Sequence, residues 1–234
     1  MSLLELEHVS KRRGRGRSEH VILRDVSFEI DLGELVVIWG LRHSGRSTLL
    51  RIASGVERTD TGTVRFGGND LSARDGDVSR GAIGYCQMTL RPAEGQFVLE
   101  QLMMDQLTRG IAPKAAGVRA RRALARTGAE HCAGSRPTEL DGADAVRVAV
   151  ARALARQPKL LVIDEPILGV DLLARDAILL LLRSLADEGI AVLTSTTETT
   201  GLAGADRALS LGGGELRGSS SPELASVVPL RRPA

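Results

Sequence analysis

Residues 138–166 read TELDGADAVRVAVARALARQPKLLVIDEP, and this stretch decides the fold. A helical segment carrying Arg147 and Arg152 leads to the apolar strand Leu160-Leu161-Val162-Ile163, which ends in Asp164-Glu165-Pro166. Adjacent carboxylates at the carboxyl end of a buried strand are costly unless something cationic sits beside them. In an open α/β sheet that end is also where ligands bind. Phosphate-bound Mg²⁺ is the natural counter-ion, with Asp164 holding the metal's water shell and Glu165 free to polarise an attacking water.

A phosphate-cradling loop lies about 120 residues upstream. Gly40-Leu41-Arg42-His43-Ser44-Gly45-Arg46-Ser47-Thr48 sits between the buried strand Leu35–Trp39 and a helix expected from about Ser47 to Ala53. Backbone amides converge on anionic oxygens at such a helix N-terminus. The loop fits G-x-x-x-x-G-K-[ST] except that Arg46 replaces the lysine. Arginine keeps the charge but presents a larger planar fork than a compact ammonium. Ser47 keeps a hydroxyl for Mg²⁺, and Thr48 adds a second hydroxyl near the phosphates.

Together the two segments resemble the ATP-binding cassette (ABC) family of nucleotide-binding domains. In that family LSGGQ precedes Q-R-V-A-I-A-R-A-L, four apolar residues and D-E-P. Here the later parts are nearly intact, while the signature has decayed to Leu140-Asp141-Gly142-Ala143-Asp144. The resemblance implies an α/β fold: a P-loop NTPase (RecA-like) core with a mostly parallel sheet, an antiparallel β subdomain and a helical subdomain. It implies one domain over 1–234, with 1–90 and 156–218 as core, 91–155 as helical signature subdomain and 219–234 as tail. ATP and Mg²⁺ are the implied cofactors.

Further site residues follow from the same resemblance. Gln87 is similar to the glutamine that reaches the metal and relays to the transmembrane partner. Asp171, in Gly169-Val170-Asp171, is similar to the aspartate that organises the cassette dimer. Arg13 stands where an aromatic usually stacks on adenine, and a guanidinium plane can also stack there. His43 replaces a usual glycine. The switch histidine is missing, with Thr196 or Thr197 in its place, and threonine cannot carry a proton as imidazole does.

The signature matters in trans, because in the family's head-to-tail dimer it caps the γ-phosphate held by the other subunit. Asp141 puts a carboxylate where a serine hydroxyl is expected. Two like charges about 4 Å apart repel by roughly 4 kcal/mol at an effective dielectric near 20. Losing one well-placed donor costs about 100- to 1,000-fold in rate. Pairing with an intact relative leaves a defect in each composite site, and pairing with itself leaves both defects in each.

The functional expectation is the ATP-binding subunit of a transporter, coupling slow or partner-dependent hydrolysis to a separate transmembrane permease subunit, with a second ABC cassette (itself or an intact relative). The short insertion between Val9-Ser10-Lys11 and Leu23-Arg24-Asp25-Val26-Ser27-Phe28 resembles the lipoprotein-release and macrolide-efflux branch. The alternative is a non-hydrolysing pseudo-ATPase acting as scaffold or regulator. A nucleic-acid-processing ABC protein is a third reading, but the chain lacks the coiled-coil insert and the duplicated cassette of those types.

Composition agrees. The 234 residues are 43% hydrophobic and 26% charged, with net charge +2, which gives no reason to expect nucleic acid. The basic clusters at 11–17 and 119–126 read as solvated surface. Two cysteines, Cys86 and Cys132, have no metal-ligand partner at short spacing. No apolar run approaches the roughly 20 residues of a membrane span, so the expected location is the cytoplasmic face of the membrane, held peripherally through a partner.

Local patterns predict strands at Leu4–Val9, Val21–Ile30, Leu35–Trp39, Leu160–Asp164 and Ile190–Thr194. A hairpin is expected at Thr61–Gly68 and another near Gly212-Gly213-Gly214. Residues 98–155 read as a helical insertion interrupted at Pro113, Gly117 and Gly134, and a further helix as Ala174–Asp187. Strands alternating with helices imply a parallel sheet with crossovers.

Overall fold

The structure, a computed structural model, describes residues 2–14, 19–72, 82–86 and 97–219. Its strands are β1 (Leu4–Arg13), β2 (His20–Ile30), β3 (Leu35–Trp39), β4 (Thr61–Phe66), β5 (Asn69–Asp70), β6 (Ile83–Cys86), β7 (Leu160–Ile163), β8 (Ala191–Thr196), β9 (Arg207–Gly212) and β10 (Glu215–Ser219). Its α-helices are α1 (Arg46–Ala53), α2 (Val98–Leu107), α3 (Pro113–Arg126), α4 (Gly142–Leu154) and α5 (Leu172–Asp187). Among the described residues the strands form two sheets. One is antiparallel in the order β2-β1-β4-β5, and the other runs β10-β9-β3-β8-β7-β6. In the second sheet β3, β6, β7, β8 and β9 pair in parallel, and only β10 returns antiparallel to β9.

β7 shows why a four-residue apolar run becomes the centre of the molecule. Leu160 and Val162 point into a core shared with β1, β2, β3 and α1. Leu161 and Ile163 point the other way, against Val146, Val150 and Leu154 of α4 and Ile178 and Leu182 of α5. A parallel strand covered on both faces has no polar side to display, so alternation disappears. Helix α1 fills the space under the antiparallel sheet with Leu49, Leu50 and Ile52, each at most 1% exposed. Full burial of each such side chain contributes about 1.5–3 kcal/mol.

Several boundaries differ from the sequence reading, each for a local reason. Gly117 does not interrupt the insertion but lies within α3, where a Cβ would meet only Met103 at 3.6 Å. Pro113 opens that helix at its first position, where its missing N–H is no loss. Helix α5 starts at Leu172 because the Asp171 carboxylate accepts from the amides of Leu173 and Ala174. Strand β8 runs on to Thr196 because it keeps its ladder with β3 as far as Trp39. The segment after Ser219 lies outside the described residues.

Candidate functional site

The loop from Gly40 to Thr48 leaves the end of β3 and turns into α1. Gly45 has φ +104°, and a Cβ there would stand 2.9 Å from the carbonyl oxygen of Ile22, so the loop is wedged against β2 with no room for a side chain. His43 also lies in the left-handed region, at φ 64°. For a residue with a Cβ that conformation costs roughly 1–2 kcal/mol. The first-turn amides of α1 have no intrahelical acceptors and point out of the helix N-terminus.

A cleft of about 580 Å³ opens over this turn, lined by His43, Ser44, Gly45, Arg46, Ser47 and Thr48, together with Arg13, His20 and Val21. Ser44 Oγ and Arg46 Nη1 are buried with no hydrogen-bond partner. Two orphaned donors at an anion-binding helix terminus fit a phosphate group, which would satisfy both. Thr48 Oγ1 accepts from Arg51 Nη2 at 3.2 Å, and Arg51 and Arg13 both bind Glu57, at 2.9 and 3.2 Å. Arg13 thus reaches the cleft tethered to a carboxylate.

The end of β7 delivers the two acidic residues. Glu165 takes φ +48°, and Arg46 Nη2 donates to Glu165 Oε1 across 119 residues of chain. Arg46 is 5% exposed and Glu165 19%. Ser195 on β8 braces the same turn: its hydroxyl donates to Asp164 Oδ1 at 2.5 Å and accepts from the Glu165 amide at 3.1 Å. Tyr85 on β6 lies close by, where burial and then the Asp164 carboxylate push its phenol above the usual value. The arrangement joins an anion cradle, a half-buried carboxylate suited to a hydrated divalent ion, and a second carboxylate able to accept a proton.

The other expected residues fall elsewhere. None of Leu140, Asp141, Gly142, Ala143 and Asp144 lines the cleft. They form the start of α4, where Asp141 is the N-cap and its Oδ1 accepts from the Asp144 amide at 2.7 Å. A Cβ on Gly142 would meet the Gly169 carbonyl oxygen at 2.7 Å, so this turn touches the loop that carries Asp171. Asp171 itself caps α5. Thr196 is 3% exposed, and its hydroxyl is taken up by the backbone of Glu198, as donor to the carbonyl and acceptor from the amide, each at 3.0 Å. That leaves Thr197 as the less committed of the two threonines. Gln87 lies outside the described residues.

Ser195 is the residue that sequence reading missed. The only signal available was the hydroxyl run Thr194-Ser195-Thr196 closing an apolar strand, which says nothing about which neighbouring strand ends beside it.

Comparison with known proteins follows the same lines. A family model described as ABC transporter matches residues 23–168. The chain is 35% identical over 221 residues to the lipoprotein-releasing system ATP-binding protein LolD of Gluconobacter oxydans, covering 92% of this chain and 95% of that protein. It is 29% identical to the macrolide export ATP-binding/permease protein MacB of Marinobacter nauticus over 96% of this chain but only 36% of that larger protein. Among solved structures, the dimeric bacterial ABC transporter cassette MJ0796 superposes with a TM-score of 0.84 at 26% identity, covering 93% of this chain and 98% of that one. The same cassette in a post-hydrolysis state, bound to ADP and Pi, gives 0.83. The scaffold alternative finds no support in these relatives.

Proposed function

We infer the activity from one premise: this chain belongs to the ABC transporter family. It is an ATP-binding subunit that works with a separate membrane permease, as its likeness to LolD and to the cassette part of MacB supports. Among the described residues no helix is long and apolar enough to cross a membrane. The likeness to LolD supports a place held peripherally through the permease, at the cytoplasmic face of the membrane.

The observation that carries the reading is the pair of orphaned donors, Ser44 Oγ and Arg46 Nη1, at the α1 terminus. There the loop amides and Arg46 bind the β- and γ-phosphates of ATP. Ser47 and Asp164 are the residues to hold Mg²⁺, with Gln87 as a third ligand. The ion, when bound, supplies charge neutralisation between the β- and γ-phosphates. Glu165 accepts the proton of the attacking water, while the Ser195 hydroxyl holds the Asp164 carboxylate and the Glu165 backbone amide in place. Arg13 stacks on the base. Leu140 to Asp144 face the triphosphate of a second cassette, and Asp171 contributes to the contact between the two.

Hydrolysis is slow. The Arg46–Glu165 ion pair occupies the general base and must open before Glu165 can take a proton. Asp141 brings a carboxylate towards the partner's γ-phosphate, and the Thr196-Thr197 turn supplies no imidazole. The test is ATP turnover by the chain reconstituted with its permease. Measurable hydrolysis that disappears in Glu165→Gln supports the assignment, and equal activity in that variant overturns it.

A further inference from the structure

We propose that His131, Cys132 and Asp144 form a binding site for one divalent cation of borderline softness, zinc or a close chemical relative. Contrary to the expectation from spacing that Cys132 lacks a metal-ligand partner, His131 stands beside it on the 3₁₀ turn Glu130–Gly134 and Asp144 faces both from the first turn of α4. One imidazole nitrogen, the Cys132 Sγ and one carboxylate oxygen all lie within 4.8 Å of one another. Of these, His131 Nε2 and Asp144 Oδ2 stand 2.9 Å apart, within hydrogen-bond distance.

Nitrogen, sulfur and oxygen donors together select zinc-like ions over magnesium or calcium, which want oxygen alone. Ligands of a tetrahedral zinc stand roughly 3.3–3.8 Å apart, as follows from metal–ligand bonds of 2.0–2.3 Å. Around an ion the widest separation, up to 4.8 Å, closes by about an ångström, while the His131–Asp144 pair at 2.9 Å opens by about half an ångström. His131 is the part free to move, since its side chain is 60% exposed while Asp144 is 17% exposed. Cys132 is 1% exposed and held by backbone bonds from its amide to Ala129 and from Ser135 to its carbonyl. Two ligands are thus built in, the third comes from solvent side, and a fourth position stays open to water.

A hydrolytic triad built on the same three side chains does not fit. Burial, then the Asp144 and Asp141 carboxylates, push the Cys132 thiol up to about 11, with only Arg147 opposing them. Without a cation the sulfur keeps its proton and is no nucleophile. A divalent ion removes that barrier: the thiol proton leaves to solvent, the thiolate binds the metal, and the neutral imidazole and Asp144 complete the set. The Arg147 contact to Asp144 Oδ1, at 3.4 Å, uses the other carboxylate oxygen and need not break. Such an ion sits beside Asp141, the cap of the same helix. If Asp141 faces a partner's phosphate, a consequence that rests on the function proposed above, the ion also offsets its charge.

Metal binding is measured on the purified full chain without nucleotide, so the outcome is separate from the assignment of the ATP site. Zinc is titrated against a chromophoric chelator, and cobalt(II) is added as a spectroscopic stand-in. One equivalent of zinc is expected, together with a thiolate-to-cobalt charge-transfer band. His131→Ala and Asp144→Asn should each weaken zinc binding at least tenfold, and Cys132→Ser should erase the band. Because Cys132 is buried and its variant risks misfolding, the exposed His131→Ala variant carries the decision. Zinc affinity unchanged in His131→Ala, or no zinc retained against the chelator by the native chain, overturns the proposal.

Discussion

Replacing Arg46 by lysine should make this cassette faster, which is the reverse of the usual result of altering a phosphate-binding residue. In the structure Arg46 donates to Glu165 Oε1 with one partner 5% and the other 19% exposed. Breaking a fully buried pair costs about 3–5 kcal/mol, and an exposed pair under about 1 kcal/mol. A pair with one member at the rim lies between these, at about 1–3 kcal/mol. If that energy must be given up each time Glu165 is freed, it slows turnover by about 5- to 150-fold. An ammonium is shorter and offers one point of contact in place of a fork, so Arg46→Lys keeps the charge at the phosphates while releasing Glu165. The assay is steady-state ATP hydrolysis by the chain with its permease, alongside calorimetric nucleotide binding. The expected result is a kcat at least about 5-fold above the native chain, the lower bound set by 1 kcal/mol, with ATP affinity little changed. A kcat equal to or below the native value, with nucleotide still bound, would falsify the idea that this ion pair restrains the base.

Three further outcomes follow from single contacts. Asp141→Ser retains a good helix cap, so stability to urea should stay within about 0.5 kcal/mol of native, whereas Asp141→Ala should lose about 0.5–2 kcal/mol. Serine also removes the repulsion from a partner's phosphate, so ATP turnover in Asp141→Ser should rise, and a drop would count against the trans role. Ser195→Ala strips a hydroxyl that serves both the Asp164 carboxylate and the Glu165 amide, and should cost about 1–3 kcal/mol in thermal unfolding; an unchanged melting temperature would contradict the bracing role. At Asp206 burial alone raises the pKa, but the Leu35 amide at 2.8 Å and then Arg183 outweigh it and hold the carboxyl below its ordinary 3.8. A depressed pKa contributes stability that is fully present above the unfolded value and lost as pH falls through the folded one. Asp206→Asn should therefore flatten the acid limb of the stability profile below about pH 4, and a limb as steep as in the native chain would show that Asp206 does not contribute to it.

The positions of the cradle and the carboxylate pair were legible in the chain because each is a local constraint. Leu160 to Ile163 had to be a strand covered on both faces, since no polar side alternates with the apolar one. Gly45 had to be glycine for the turn into α1. Helix ends were less legible: α5 gains its first two residues from the cap at Asp171, and Gly117 stays within α3 although glycine is a poor helix former, a cost of about 1 kcal/mol that the rest of the helix absorbs.

By itself, then, the amino-acid order determined the sheet's central strand, the glycine-containing loop between β3 and α1 and the acidic strand end, all of which rest on spacing and steric rules acting over a few residues. Only the folded molecule decided that Arg46 meets Glu165 from 119 positions away, that Ser195 links two carboxylate-bearing positions on the next strand, and that Asp141 spends its carboxylate on its own helix. Those pairings depend on which strand ends lie side by side once β3, β8 and β7 are in register. No local pattern encodes that adjacency, because ion pairs and hydrogen bonds are chosen by distance in space and not by separation along the chain.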